Sequence, residues 1–85
     1  MKELLRRLTE AYGPSGHEDE VRDLIRQEVK GLADSLTVSS MGSLHAVVNP
    51  QGKTKIMVAA HMDEIGLVVS HIDPAGFARF QMIGG

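Results

Sequence analysis

The sequence predicts an α/β fold in which two helices are followed by about five strands. Residues 2–30 carry apolar side chains at helical spacing, whereas the remainder carries short apolar runs that are separated by turn residues. This order by itself favours a sheet that has helices packed on one face. A chain of 85 residues forms at most one small domain, and such a domain buries only a marginal core.

An apolar stripe at helical spacing predicts the first helix over residues 2–12. The segment Gly13-Pro14-Ser15-Gly16 is typical of a break between helices. Ser15 and Glu18 have the spacing of a capping box, so we expect Ser15 to be the N-cap of a second helix. That helix is expected to run to about Lys30, whose charge complements the carboxyl end of the helix dipole.

The rest of the chain predicts strands that are joined by tight turns. Asn49-Pro50-Gln51-Gly52 and Asp73-Pro74-Ala75-Gly76 have the residues that type I turns favour, and a further turn is expected around Gly42. The apolar runs between these turns predict five strands, over residues 36–38, 44–48, 55–60, 67–72 and 77–83.

Composition excludes several classes of function. Nine basic and eleven acidic residues form no basic patch, so we expect no nucleic-acid partner. No apolar run is long enough to span a membrane, and the charged start differs from a signal peptide, so a cytoplasmic protein is expected. The chain has no cysteine, so any metal ion would have to bind His, Asp or Glu.

His61 and Asp63 are the candidate site residues. They follow the apolar run Ile56–Ala60, which predicts a buried strand, and side chains two positions apart in an extended segment point the same way. A metal-bound imidazole usually donates its other N–H to a carboxylate or carbonyl, so His61 fits a ligand and Asp63 fits its partner. The tripeptide alone also fits a structural histidine that is followed by ordinary loop charges.

Three neighbouring residues bear on this interpretation. Glu64 is expected to shape the loop or to be a solvated charge, because the pattern His-Glu-x-x-His is absent. His71 lies at the far end of the next predicted strand, roughly 20 Å away at ~3.3 Å per residue, so we expect a structural or surface role. Gly66 is expected to permit a backbone shape or close approach that a Cβ would block.

The flanking sequence resembles the glutamyl aminopeptidase family of dinuclear-metal, often tetrahedral enzymes, some of which carry an endoglucanase label. The similarity covers nearly the whole chain in the right order. It rests on six segments: 13–18, 41–44, 60–66, 71–73, 76–77 and 83–85.

The resemblance implies a larger α/β domain with a mixed central sheet, of which residues 1–85 are the amino-terminal fragment. In the family, the chain then continues into an inserted β-rich domain. The resemblance also implies that His61 binds one of two divalent ions, zinc or cobalt, and that Asp63 orients it. The other ligands and the general-base glutamate come later in the family's chain, so the isolated fragment is expected to be inactive.

The expected function is therefore that of a metal-dependent aminopeptidase, which removes amino-terminal residues, including acidic ones, from peptides. The intact protein is expected to be a homo-oligomer. Two alternatives stay open. One is a non-enzymatic α/β module that binds a partner through an open sheet edge. The other is a glycoside hydrolase, which would need two carboxylates at a set separation, whereas Asp63 and Glu64 are adjacent.

Overall fold

A computed structural model of the chain describes residues 1–85. It contains two helices, α1 (Lys2–Glu10) and α2 (Asp19–Val29), ahead of four strands. The strands are β1 (Ser35–Val38), β2 (Leu44–Val47), β3 (Gly66–Ile72) and β4 (Ala78–Ile83). The predicted α/β fold, with the helices first, is confirmed.

The two helices are joined by an ion pair. Arg7 of α1 lies 2.5 Å from the carboxylate of Glu28 on α2. On the outer face of α1, Arg6 contacts Glu3 at 2.6 Å and Glu10 at 2.7 Å. The hydrogen bond from Arg6 lowers the pKa of Glu3 below its ordinary value. Both α1 pairs are exposed, so they add little to stability.

The second helix begins later than the sequence predicts. Ser15 is not its N-cap, because the Pro14 carbonyl accepts a hydrogen bond from the His17 N–H at 2.8 Å and closes a turn there. Gly16 makes this turn possible with a φ of +86°. Glu18 is the N-cap residue, and its carboxylate accepts the Gly16 N–H at 2.7 Å. The turn thus displaces the helix start to Asp19.

The strands form two separate antiparallel hairpins. In the first, β1 pairs with β2 and places Val38 opposite Leu44. In the second, β3 pairs with β4 and places Gly66 opposite Ile83, with an irregularity between Val69 and His71. The larger mixed sheet that the family resemblance implies is not contained in residues 1–85 and stays a prediction.

All three predicted turns are present. The Gly52 N–H donates to the Asn49 carbonyl at 3.0 Å, and the Gly76 N–H donates to the Asp73 carbonyl at 3.0 Å. The Asp73 carboxylate also accepts the N–H groups of Ala75 and Phe77, which is typical of aspartate at the start of a turn. Gly42 closes the turn between β1 and β2 with a φ of +85°.

The predicted strand over residues 55–60 is absent, which corrects the expectation of a fifth, buried strand. Ile56, Met57 and Val58 are 84%, 90% and 91% exposed. A strand forms only where its N–H and C=O groups pair with a neighbour, and no neighbouring strand lies beside this segment within residues 1–85. His61 therefore follows an exposed segment without strand pairing instead of a buried strand.

The chain buries few residues, and they all lie in one place. Its radius of gyration is 17.1 Å, whereas a compact domain of this length would have a value of about 12 Å. The four buried residues are Ala11, Gly13, Pro14 and Val21, at the junction of α1, the connecting segment and α2. Neither helix has the length and apolar composition that crossing a membrane requires.

Candidate metal-binding site

His61 and Asp63 are in direct contact. The His61 Nδ1 lies 3.1 Å from the Asp63 Oδ1 and 3.0 Å from the Asp63 carbonyl oxygen. The His61 side chain is 85% exposed and the Asp63 side chain is 40% exposed. The structure therefore brings together the two residues that the sequence singled out, although the segment before them is not a paired strand.

This contact fixes which nitrogen of His61 is free to bind a metal. Both partners of Nδ1 are oxygen acceptors, so the neutral ring must carry its proton on Nδ1. The lone pair is then on Nε2, and this is the arrangement of a metal-bound histidine whose other nitrogen donates to a carboxylate or carbonyl. The chemistry of this donor therefore fits a divalent metal ion.

The loop that carries the pair is attached to the buried junction between the helices. The Glu64 N–H donates to the Gly13 carbonyl at 2.9 Å, and Glu64 pairs with Pro14 in an isolated parallel bridge. A cleft of about 240 Å³ lies between the loop and the helices. Its helix side is lined by apolar residues including Leu8 and Ile25, and its loop side is formed by residues 61–64.

Two further histidines lie on strands, away from His61. His71 is on β3 opposite Arg79, and His45 is on β2 opposite Thr37. No three His, Asp or Glu side chains within residues 1–85 come close enough to hold one metal ion. A catalytic zinc usually takes about three protein ligands, so His61 can supply only part of such a site.

The sequence did not predict the role of Gly13 and Pro14, which were interpreted only as a break between helices. They contact the loop at Glu64, about fifty residues further along the chain. No periodic pattern marks a contact between segments so far apart. The sequence contained one indication of this contact, since Gly66 was expected to permit a close approach. The structure confirms this, because a Cβ on Gly66 would lie 2.7 Å from the Pro14 Cβ.

The fold is α/β, and the His61–Asp63 pair leaves one imidazole nitrogen free for a metal ion. Comparison with family models gives the particular family. The model of the M42 glutamyl aminopeptidase family matches residues 42–85, slightly more than half of the chain. A second model, AMPT, matches residues 1–24. The chain belongs to the M42 glutamyl aminopeptidase family.

Individual proteins agree with this assignment. The chain is 42% identical over 84 residues to a lysyl aminopeptidase of Pyrococcus furiosus, which covers 98% of the chain and 24% of that protein. Thus the chain spans about a quarter of the length of the curated relatives that it matches.

Two solved structures resemble the fold closely. The structure of PhTET1-12s, a dodecamer in the asymmetric unit, is 39% identical with a TM-score of 0.88, over 100% of this chain and 26% of that one. An endoglucanase from Thermotoga maritima is 40% identical with a TM-score of 0.87, over 95% of this chain and 26% of that one.

Proposed function

We propose that residues 1–85 are the amino-terminal part of the catalytic domain of a metal-dependent aminopeptidase. In this proposal, His61 is a ligand of one divalent ion and Asp63 orients it. The observation that carries it is the hydrogen bond between the His61 Nδ1 and the Asp63 carboxylate at 3.1 Å. It is supported by membership of the M42 family and by the lysyl aminopeptidase of P. furiosus among the relatives.

His61 would bind the ion through Nε2, because Asp63 occupies the other ring nitrogen. A pair of divalent ions, zinc or cobalt, would polarise the scissile carbonyl and activate a water molecule. Within residues 1–85, Asp63 would hold the ring of His61 in one orientation and keep its proton on Nδ1. The other ligands and the general base are proposed to lie outside these residues.

The substrate is proposed to be a peptide with a free amino terminus. An acidic first residue stays a prediction, because the family is described as glutamyl aminopeptidases whereas the P. furiosus relative is a lysyl aminopeptidase. Homo-oligomeric assembly is supported by the dodecamer of PhTET1-12s. A cytoplasmic location also belongs to this proposal, and neither a membrane nor a nucleic acid is proposed as a partner.

An assay for the release of amino-terminal residues by the intact protein would test this function directly. We expect hydrolysis of short peptides that is lost on addition of a chelator and restored by zinc or cobalt. The substrates would start with glutamate, aspartate or lysine, and acetylated peptides would serve as the control. Absence of hydrolysis with every metal would favour the non-enzymatic module that binds through a sheet edge.

The endoglucanase similarity supplies a second candidate, so the same preparation would be tested on a soluble glucan. We expect no reducing ends above background, because glycoside hydrolysis needs two carboxylates about 5–10 Å apart on either side of a sugar. Within residues 1–85 the conspicuous carboxylates, Asp63 and Glu64, are adjacent in sequence. Glucan cleavage that resists a chelator would contradict the peptidase proposal.

Replacing Asp63 by asparagine should weaken the site without destroying it. Loss of a carboxylate that orients a metal-bound histidine typically reduces metal affinity or activity by about 10- to 100-fold. We expect the zinc affinity and the kcat of the intact protein to fall within this range. Asp23→Asn is the matched control, because Asp23 is exposed on α2. Equal zinc affinity in the two variants would remove Asp63 from the site.

A further inference from the structure

The buried residues of the chain lie against the loop that carries the candidate site. Ala11, Gly13, Pro14 and Val21 are its only buried residues, and they lie where the helices meet the loop of residues 61–66. The Gly13 carbonyl accepts the Glu64 N–H at 2.9 Å, directly after the His61–Asp63 pair. The best-packed part of the structure therefore lies against the loop that carries the candidate ligand.

Gly66 brings the end of this loop against Pro14. A Cβ on Gly66 would lie 2.7 Å from the Pro14 Cβ, closer than carbon atoms pack. The φ of Gly66 is outside the left-handed region, so space and not backbone conformation requires glycine here. Pro14 is buried and its ring is rigid, so it cannot move away as a flexible side chain would.

Gly13 lies similarly close to Val21 of α2. A Cβ on Gly13 would lie 2.8 Å from the Val21 Cγ1, and Val21 is only 5% exposed. The segment Gly13–Pro14 is therefore packed between α2 and the loop. A shift of this segment would move the Glu64 N–H, and with it the neighbouring Asp63 carboxylate that holds the His61 ring.

We propose that Gly13, Pro14 and Gly66 are positioning residues that set the His61–Asp63 geometry by packing the loop against the helix junction. This proposal rests on the proposed function of His61 as a metal ligand. Metal sites require their ligands to be held within small tolerances by the packing around them. The Gly66–Pro14 approach and the Glu64–Gly13 hydrogen bond supply that packing from a part of the sequence remote from the ligand.

The test is the Gly66→Ala variant of the intact protein, compared with Gly31→Ala. Gly31 is the matched control, because a Cβ there would meet nothing within 4 Å and its φ is ordinary. Zinc affinity would be measured by competition with a chromophoric chelator, alongside kcat, KM and the thermal midpoint. We expect Gly66→Ala to bind zinc about 10- to 100-fold more weakly, as when a ligand's support is lost. We also expect kcat to fall while KM changes little, and Gly31→Ala to match the wild type.

A second variant keeps the test decisive if Gly66→Ala folds poorly. Pro14→Gly removes the Cβ and the ring that pack against Gly66, without introducing a clash. We expect it to bind zinc more weakly than Gly31→Ala, because the loop then loses its contact with the helix junction. A Pro14→Gly variant that is folded, as judged by circular dichroism, but binds zinc as tightly as Gly31→Ala would overturn the proposal. Equal zinc affinity in Gly66→Ala and Gly31→Ala would also overturn it.

His61→Ala separates this proposal from the proposed function. If His61→Ala loses zinc and Gly66→Ala matches its control, the positioning role is wrong and the function stands. If His61→Ala retains zinc and activity, the ligand role of His61 is wrong, and the positioning proposal that rests on it is overturned as well.

Discussion

His61→Ala in the intact protein is expected to abolish peptide hydrolysis and to lower the bound metal. Asp63 holds Nδ1 at 3.1 Å, and only Nε2 remains for a metal. Removal of the ring deletes a ligand. We therefore expect activity to fall by more than about 100-fold, which is the upper end of the loss that removal of a supporting residue typically causes. The fold should survive, because the side chain is 85% exposed.

The measurement is metal content by elemental analysis, together with kcat/KM on a short peptide. His45→Ala is the matched control, since His45 is an exposed histidine on β2 that is not in contact with the candidate site. We expect its metal content and kcat/KM to equal those of the wild type. Unchanged metal stoichiometry and turnover in His61→Ala would show that His61 is not a ligand.

The chain of residues 1–85, prepared alone, is expected to have no aminopeptidase activity and to self-associate. It supplies one candidate ligand, and no three metal-binding side chains come together in it. The β3–β4 hairpin also exposes cross-strand apolar pairs, Leu67 with Met82 and Val69 with Phe80. These four side chains are between 57% and 81% exposed. Unpaired strand edges and exposed apolar faces promote association.

Sedimentation velocity at several concentrations and a peptide-hydrolysis assay with added zinc would test this expectation. The intact protein under the same conditions is the control for activity. A monomeric 85-residue chain that binds one zinc ion tightly and hydrolyses peptides would contradict the account, because the site would then be complete within these residues.

Much of the local structure could be predicted from the sequence, because it depends on short-range chemistry. The turns at Asn49 and Asp73 formed as expected, since the proline and glycine positions suit only a few backbone shapes. The fifth strand was wrong, because an apolar run does not reveal whether a partner strand lies beside it. The N-cap at Ser15 was wrong for a related reason, since the competing turn at Gly16 places the helix start after Glu18.

In the candidate site, too, the short-range contact could be predicted from the sequence and the long-range contact could not. The contact between His61 and Asp63 could be anticipated, because it joins residues two positions apart. The packing of the loop against Gly13 and Pro14 could not, because it joins segments distant in sequence through a single hydrogen bond and close van der Waals contact. The role of His61 as a ligand stays a prediction, since its contact with Asp63 would also suit a structural histidine.

Anomalous diffraction from crystals of the intact protein, loaded with zinc and recorded at the zinc absorption edge, tests the central claim most directly. We predict an anomalous peak about 2.0–2.1 Å from the His61 Nε2, while Nδ1 keeps its hydrogen bond to Asp63. A second peak is predicted nearby for the other ion of the pair. Zinc bound only to other side chains, with His61 turned away from every peak, would contradict the account.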